Sequence, residues 1–95
     1  MIRLWVDDLR DPPAGWWWAK TSRAAIDVLV AHRGQVEEMS LDHDLGGDDT
    51  TRPVVLFMCE NEWAWPAKVL VHSANPVGVE WLEGMIERYQ PVCDD

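Results

Sequence analysis

Two short windows of this chain hold enough carboxylates to bind a cation. Asp7, Asp8 and Asp11 fall in the first; Asp42, Asp44, Asp48 and Asp49 fall in the second. Hard divalent ions such as Mg²⁺ or Mn²⁺ take oxygen ligands and fill their remaining positions with water. Asp7, Asp8 and Asp42 form the candidate ligand set, with Asp44 as a further member. Asp44 lies two residues beyond Asp42, so both project to one side while the backbone stays extended, and His43 between them then points the other way. Solvated loop charge is the plain alternative. His72 ends an apolar stretch of four residues, beside the Ser73 hydroxyl and just before Asn75-Pro76. Imidazole exchanges protons near neutral pH, which makes His72 the candidate acid/base and His43 its partner or orienter. A packed histidine at the core edge is the alternative at each position. His32 lies at a helix end, where the dipole favours a structural role.

The elements that must position these groups follow from periodicity and punctuation. Arg3 to Val6 reads as a strand that stops at Asp7-Asp8. Asp11 to Gly15, with two prolines, is a turn too rigid and short for a helix. Trp16 to Lys20 reads as a second strand. Thr21 or Ser22 caps a helix running to about His32, with Ala25, Ile26, Leu29 and Val30 on one face, and Gly34 ends it. Val36 to Leu41 is the third strand, followed by a polar loop over Leu45 to Thr51. Pro53 opens a helix reaching about Trp63. Lys68 to Val71 is the fourth strand. Asn75-Pro76 then starts a helix in which Trp81, Leu82, Met85, Ile86 and Tyr89 recur at helical spacing.

Strands alternating with helices predict parallel pairing with right-handed crossovers. The expected architecture is a four-stranded sheet in the order 2-1-3-4 with helices on both faces. Asp7-Asp8, Asp42-His43-Asp44 and His72-Ser73 all then fall at the carboxyl ends of strands, the edge where open α/β sheets bind ligands. Three separate segments deliver polar groups to one rim. Arg10 and Lys20 are the basic residues near it by sequence, and either could touch phosphate or pair with the acids. Asn75 is the natural cap of the last helix, whose free N–H groups could also receive a phosphate.

The 95 residues predict one domain, residues 1–95, with a small core. Seventeen acids against eight bases give a net charge of −9. Such a surface repels nucleic-acid backbones unless a metal or a local basic patch intervenes, which argues against double-stranded DNA as a partner. The longest apolar run, Val54 to Cys59, is far too short for a membrane span, and the start does not read as a signal peptide. The cytoplasm is the expected location. Cys59 and Cys93 have neither disulfide-framework nor metal-site spacing. Seven tryptophans are many for this length. Trp5, Trp63, Trp65 and Trp81 read as core. Strand alternation puts Trp16 and Trp18 on one face and Trp17 on the other, as hydrophobic cover or as a base-stacking surface.

The run Leu4-Trp5-Val6-Asp7-Asp8 resembles the paired metal-binding acids after the first strand of response-regulator receiver domains. Asp42 falls at the position of their phospho-accepting aspartate. Gly46 and Asp49 follow it at that family's spacings, and Ser73-Ala74 matches the hydroxyl-plus-Ala pair after the fourth strand. Three departures stand out: the Asp11–Gly15 turn replaces the first helix, the fifth strand and its lysine are missing, and His43 and His72 are new. Lys20 is the nearest substitute for that lysine. A closer resemblance is to the cyclic-phosphate-processing receiver domains. It lies in Trp5-Val6-Asp7-Asp8-Leu9-Arg10, Trp18-Ala19-Lys20-Thr21, Ser40 through Thr50, and Val71-His72-Ser73-Ala74-Asn75-Pro76.

This resemblance implies a truncated receiver-like, flavodoxin-like α/β three-layer sandwich. It also implies action on a cyclic phosphate, on a nucleotide or at an RNA 2′,3′-cyclic phosphate end. Opening a cyclic phosphodiester needs a base to activate water and an acid for the leaving alkoxide, roles suited to His72 and His43. A divalent metal at Asp7, Asp8, Asp42 and Asp44 would stabilise charge on the phosphoryl oxygens. Ser73, Asn75, Lys20 and Arg10 are the candidate substrate-binding residues. A receiver relic that binds metal or a cyclic nucleotide without turnover, sequestering a signal, is the alternative function.

Overall fold

The computed structural model describes residues 1–91; Cys93 lies outside the described residues. The chain runs β1 (Ile2–Val6), β2 (Trp17–Ala19), α1 (Ser22–Ala31), β3 (Val36–Leu41), α2 (Arg52–Glu60), a 3₁₀ turn (Glu62–Ala64), β4 (Lys68–Val71) and α3 (Pro76–Tyr89). All strand pairs are parallel and the sheet order is β2-β1-β3-β4, as the alternating pattern predicts. Among the described residues no helix is long and apolar enough to cross a membrane.

Local chemistry fixes the element ends. The Thr21 hydroxyl accepts the Ala24 N–H at 3.0 Å and starts α1. The Asn75 side-chain oxygen accepts the N–H groups of Val77 and Gly78, both at 3.1 Å, and starts α3. Asp49 reaches across to Ser22, accepting its backbone N–H at 2.9 Å and its hydroxyl at 2.6 Å. The polar loop after β3 is thereby tied to the first turn of α1.

The three helices lie side by side, α1 against α2 and α2 against α3. They cover the sheet face that carries Ile2, Leu4, Val6, Met39 and Leu41, all buried. Ala25, Leu29, Val54, Val55, Met58 and Leu82 close this core from the helix side. The opposite face carries Arg3, Trp5, Glu38, Lys68, Leu70 and Trp18, which stay partly or fully exposed. The truncated receiver-like outline holds, but the expected helices on both faces are a correction. Among the described residues the second face has no cover, because Asp11–Gly15 forms no helix and no strand or helix follows α3.

A polar and aromatic layer stands where those helices would pack. Trp5 is therefore not a core residue under a helix. Its ring lies flat on the His72 imidazole, centroids 3.8 Å apart and planes 7° apart, and its indole N–H donates to the Arg10 carbonyl at 2.9 Å. Trp16 meets Trp5 edge-on at 6.0 Å. Register places Trp18 beside Trp5 and Trp17 beside Leu4, so the tryptophans alternate as expected. Trp63, Trp65 and Trp81 pack against the core as expected.

Candidate functional site

The carboxyl edge of the sheet gathers Asp7 after β1, Asp42 after β3 and His72 after β4. Asp7, Asp8 and Asp42 each offer a carboxylate oxygen, and the three oxygens lie within 4.8 Å of one another. These are hard oxygen donors, the type that divalent cations of the Mg²⁺ class select. The adjoining open cleft is lined by Asp8, Leu9, Arg10, Asp42, Asp44, Gly46, Ser73, Ala74 and Asn75.

Asp7 is fully buried. Its Oδ1 accepts the backbone N–H groups of Leu9 and Arg10, both at 2.9 Å. Its Oδ2 faces His72 Nε2 at 2.9 Å. Burial pushes the carboxyl pKa up, but the Arg10 and Leu9 N–H groups and the His72 ring outweigh that and hold it below the usual range. Asp7 is therefore an anion, and the ring must present an N–H to it. The other ring nitrogen, Nδ1, lies 2.7 Å from the hydroxyl of Ser40, which is only 3% exposed. Ser40 sits between Trp5 and Leu70 in the sheet, and its small side chain lets the Trp5 indole cross β3 to reach His72. The buried relay Asp7–His72–Ser40 results. The Arg10 guanidinium donates to the His72 carbonyl at 3.1 Å, which fixes it at the cleft wall.

Asp8 is placed by a backbone device. Gly46 has a φ of +87°, and a Cβ there would come 2.9 Å from Asp8 Oδ2. Glycine thus permits both the left-handed turn and the close approach of the Asp8 carboxylate.

A second cluster surrounds His43. Its Nδ1 lies 3.0 Å from Asp44 Oδ1, and Arg52 Nε lies 2.9 Å from its Nε2. The guanidinium N–H can only donate, so Nε2 accepts and the ring proton sits on Nδ1, toward Asp44. Gly78 of α3 packs directly on the imidazole, where a Cβ would fall 2.3 Å from His43 Cγ. The Asn75 amide donates to Asp44 Oδ2 at 3.0 Å. That bond, then the one to His43, holds the Asp44 carboxyl below its usual range.

The sequence-predicted residues thus separate into groups. Asp7, Asp8 and Asp42 converge. Asp44 lines the same cleft but directs its carboxylate to His43 and Asn75 instead of joining the other three. His72 contacts the acid cluster, and His43 belongs to the Asp44–Arg52 group. Arg10, Ser73 and Asn75 line the cleft; Asn75 also caps α3, and Ser73 Oγ accepts the Asn75 N–H at 3.2 Å. Lys20 is not part of the cleft wall: its ammonium lies over the Trp18 ring, 4.3 Å from the centroid. Ser40, Trp5, Arg52 and Gly78 complete the geometry and were not singled out as site residues from sequence. Ser40 lies between Met39 and Leu41 in β3, and a small polar residue flanked by two apolar ones was the available signal.

No curated protein and no solved structure matches the chain. A family model described as cyclic-phosphate processing receiver domain matches residues 2–88. That match spans both acid windows, both histidine clusters and all four strands, and the chain belongs to the cyclic-phosphate-processing receiver domain family.

Proposed function

We propose that this domain is a divalent-metal-dependent phosphoesterase that opens a cyclic phosphate on a nucleotide or at an RNA 2′,3′-cyclic phosphate end. The observation that carries this reading is the convergence of Asp7, Asp8 and Asp42 beside a cleft that also holds Arg10 and Ser73. Three carboxylates so close repel one another, and Asp7 is held ionised, so a cation fits the donor set. Asp8 and Asp42 would hold it together with Asp7, whose carboxylate already accepts two N–H groups and faces His72. Once bound, Mg²⁺ or Mn²⁺ would polarise a phosphoryl oxygen and a water. Arg10, steadied by the His72 carbonyl, supplies a second positive charge for the phosphoryl oxygens. The Ser73 hydroxyl can donate a hydrogen bond from the far wall.

His72 and His43 enter this reading as positioning residues. Each has both ring nitrogens engaged inside the protein. His72 fixes Asp7 and, through its carbonyl, Arg10; His43 fixes Asp44. Direct proton transfer by His72 would require release from Asp7 or Ser40. The same engagement favours the alternative reading, a module that binds metal or a cyclic nucleotide and sequesters it without turnover.

A panel of cyclic mononucleotides, cyclic oligonucleotides and RNA with a 2′,3′-cyclic phosphate, assayed with Mn²⁺ or Mg²⁺, decides between the two. Metal-dependent appearance of a phosphomonoester, lost in Asp8→Asn, supports the phosphoesterase. Tight binding of one ligand without any turnover across the panel would overturn it in favour of the sequestering module.

A further inference from the structure

The cleft beside the acid cluster has room and positive charge for one small anion. It measures about 320 Å³, the lower end of the roughly 300–1,000 Å³ of small-molecule sites. Asp8, Asp42 and Asp44 line it, and of the chain's eight bases only Arg10 does. With Asp7 beneath, four carboxylates meet one guanidinium, a local balance of −3. One divalent cation would bring that balance to −1. Leu9, whose N–H is held by Asp7, is the one large apolar side chain in the lining and is 82% exposed, which offers a nucleoside an apolar contact.

The start of α3 offers no second anion site. The Asn75 side-chain oxygen already takes the Val77 and Gly78 N–H groups, residue 76 is proline, and the Val79 N–H bonds the Asn75 carbonyl. No basic track leads away from the cleft either. Lys20 lies over the Trp18 ring, Arg52 is held by His43, and Arg3 faces Glu37 and Glu38. Arg23 faces Asp27, and Arg33 and Arg88 lie over the rings of Trp63 and Tyr89. Lys68 opens β4, at the end of the sheet away from the cleft. The chain carries −9, or −7 with one divalent cation, so every phosphate beyond the first is repelled and finds no cation to meet it.

We infer that the substrate is a free cyclic mononucleotide bearing a single negative charge, and that polynucleotide ends are disfavoured by charge. The inference rests on the phosphoesterase reading of the cleft and narrows it to one of the two substrate classes that reading allows.

The test compares 2′,3′-cyclic uridine monophosphate with a uridine pentamer ending in the same cyclic phosphate. Turnover is measured with saturating Mn²⁺ at ionic strengths where the screening length is about 30 Å and about 8 Å, and binding of each ligand is read by calorimetry. Electrostatic steering changes association by about 10–10³-fold, so kcat/KM should favour the mononucleotide about tenfold or more at low salt. The gap should narrow at the higher salt. Asp48→Lys, on the exposed loop beside Gly46 of the cleft wall, should narrow it at low salt by raising the pentamer value several-fold while shifting the mononucleotide value far less. Arg10→Gln should weaken mononucleotide binding about tenfold or more, the loss of one hydrogen bond to a charged group. A pentamer turned over as well as the mononucleotide at low salt overturns the inference and leaves the phosphoesterase intact. A gap that neither salt nor Asp48→Lys alters overturns selection by charge, and unchanged binding in Arg10→Gln overturns the single-anion site. Preferential binding of the mononucleotide without turnover of either ligand supports the inference and removes the phosphoesterase in favour of the sequestering module. Binding of neither ligand overturns both.

Discussion

Replacing His72 by alanine separates a positioning role from a purely chemical one. A free acid/base histidine at a cleft contributes to rate and little to stability. In this protein the ring bonds a fully buried carboxylate at 2.9 Å and a buried hydroxyl at 2.7 Å, and it lies against Trp5. The His72 side chain is only 15% exposed, so solvent screens the pair weakly. A hydrogen bond to a charged group is worth about 1.5–3 kcal/mol, and a buried hydroxyl left unpaired costs about 1–3 kcal/mol. Asp7 keeps its two N–H partners, which places His72→Ala at about 3 kcal/mol. A domain of this length has a total stability of about 5–14 kcal/mol, so the variant folds. Its melting temperature should fall by about 12 °C or more. Urea unfolding of metal-free wild type, His72→Ala, Asp7→Asn and the double variant measures this, and the double-mutant cycle should show a coupling of about 1.5–3 kcal/mol. A His72→Ala loss below about 0.5 kcal/mol, the range of ordinary surface substitutions, would refute the buried relay and return His72 to the role of a free acid/base.

Further outcomes follow from the same geometry. Mn²⁺ should raise the melting temperature of wild type by mass action and leave Asp8→Asn unmoved, as read by thermal melts across a metal titration. Gly78→Ala drives a methyl into an imidazole held by Asp44 and Arg52; a loss of about 1–3 kcal/mol in urea unfolding is expected, with Gly84→Ala, which meets open space, near neutral. The Asp7 carboxyl lies below its usual range when folded, so its contribution is present above the unfolded value of about 3.9 and lost as pH falls through the folded value. Metal-free wild type should therefore lose stability below about pH 4, and Asp7→Asn should lose it less steeply. Asn75→Ala removes the α3 cap and should cost about 0.5–2 kcal/mol.

The sheet order was legible because alternation of apolar strands with capped helices leaves few topologies, and Asp7, Asp42 and His72 fall where each strand runs out. The number of layers was not. Helix periodicity shows that a helix has one apolar face but not which side of the sheet it covers. The sign lay in the strands themselves. In β1, buried Ile2, Leu4 and Val6 alternate with Arg3 and Trp5, and in β4 exposed Lys68 and Leu70 alternate with Val69 and Val71. That is the pattern of a sheet covered on one side. The end of α2 also differed from expectation, because Asn61 donates to the Phe57 carbonyl and the chain turns there before Trp63.

In the site, residue types told which groups reach the rim, and geometry told what they do. Asp42 and Asp44 share a side by alternation, yet the chain leaves the strand at Asp42 and forms a bridge between Asp44 and Thr50, which carries Asp44 toward His43 and Asn75. The histidines carry the more general lesson. A receiver-like sheet that lacks its first helix exposes the β1, β3 and β4 side chains that the helix would have covered. Trp5, Ser40 and His72 come from those three strands and fill one another's hydrogen-bonding and stacking needs. The layer that replaces the helix is therefore the same layer that anchors Asp7 beneath the cleft. Trp5, stacked on His72 with its indole N–H bonded to the Arg10 carbonyl just before the Asp11–Gly15 turn, links that turn to the histidine at the strand end.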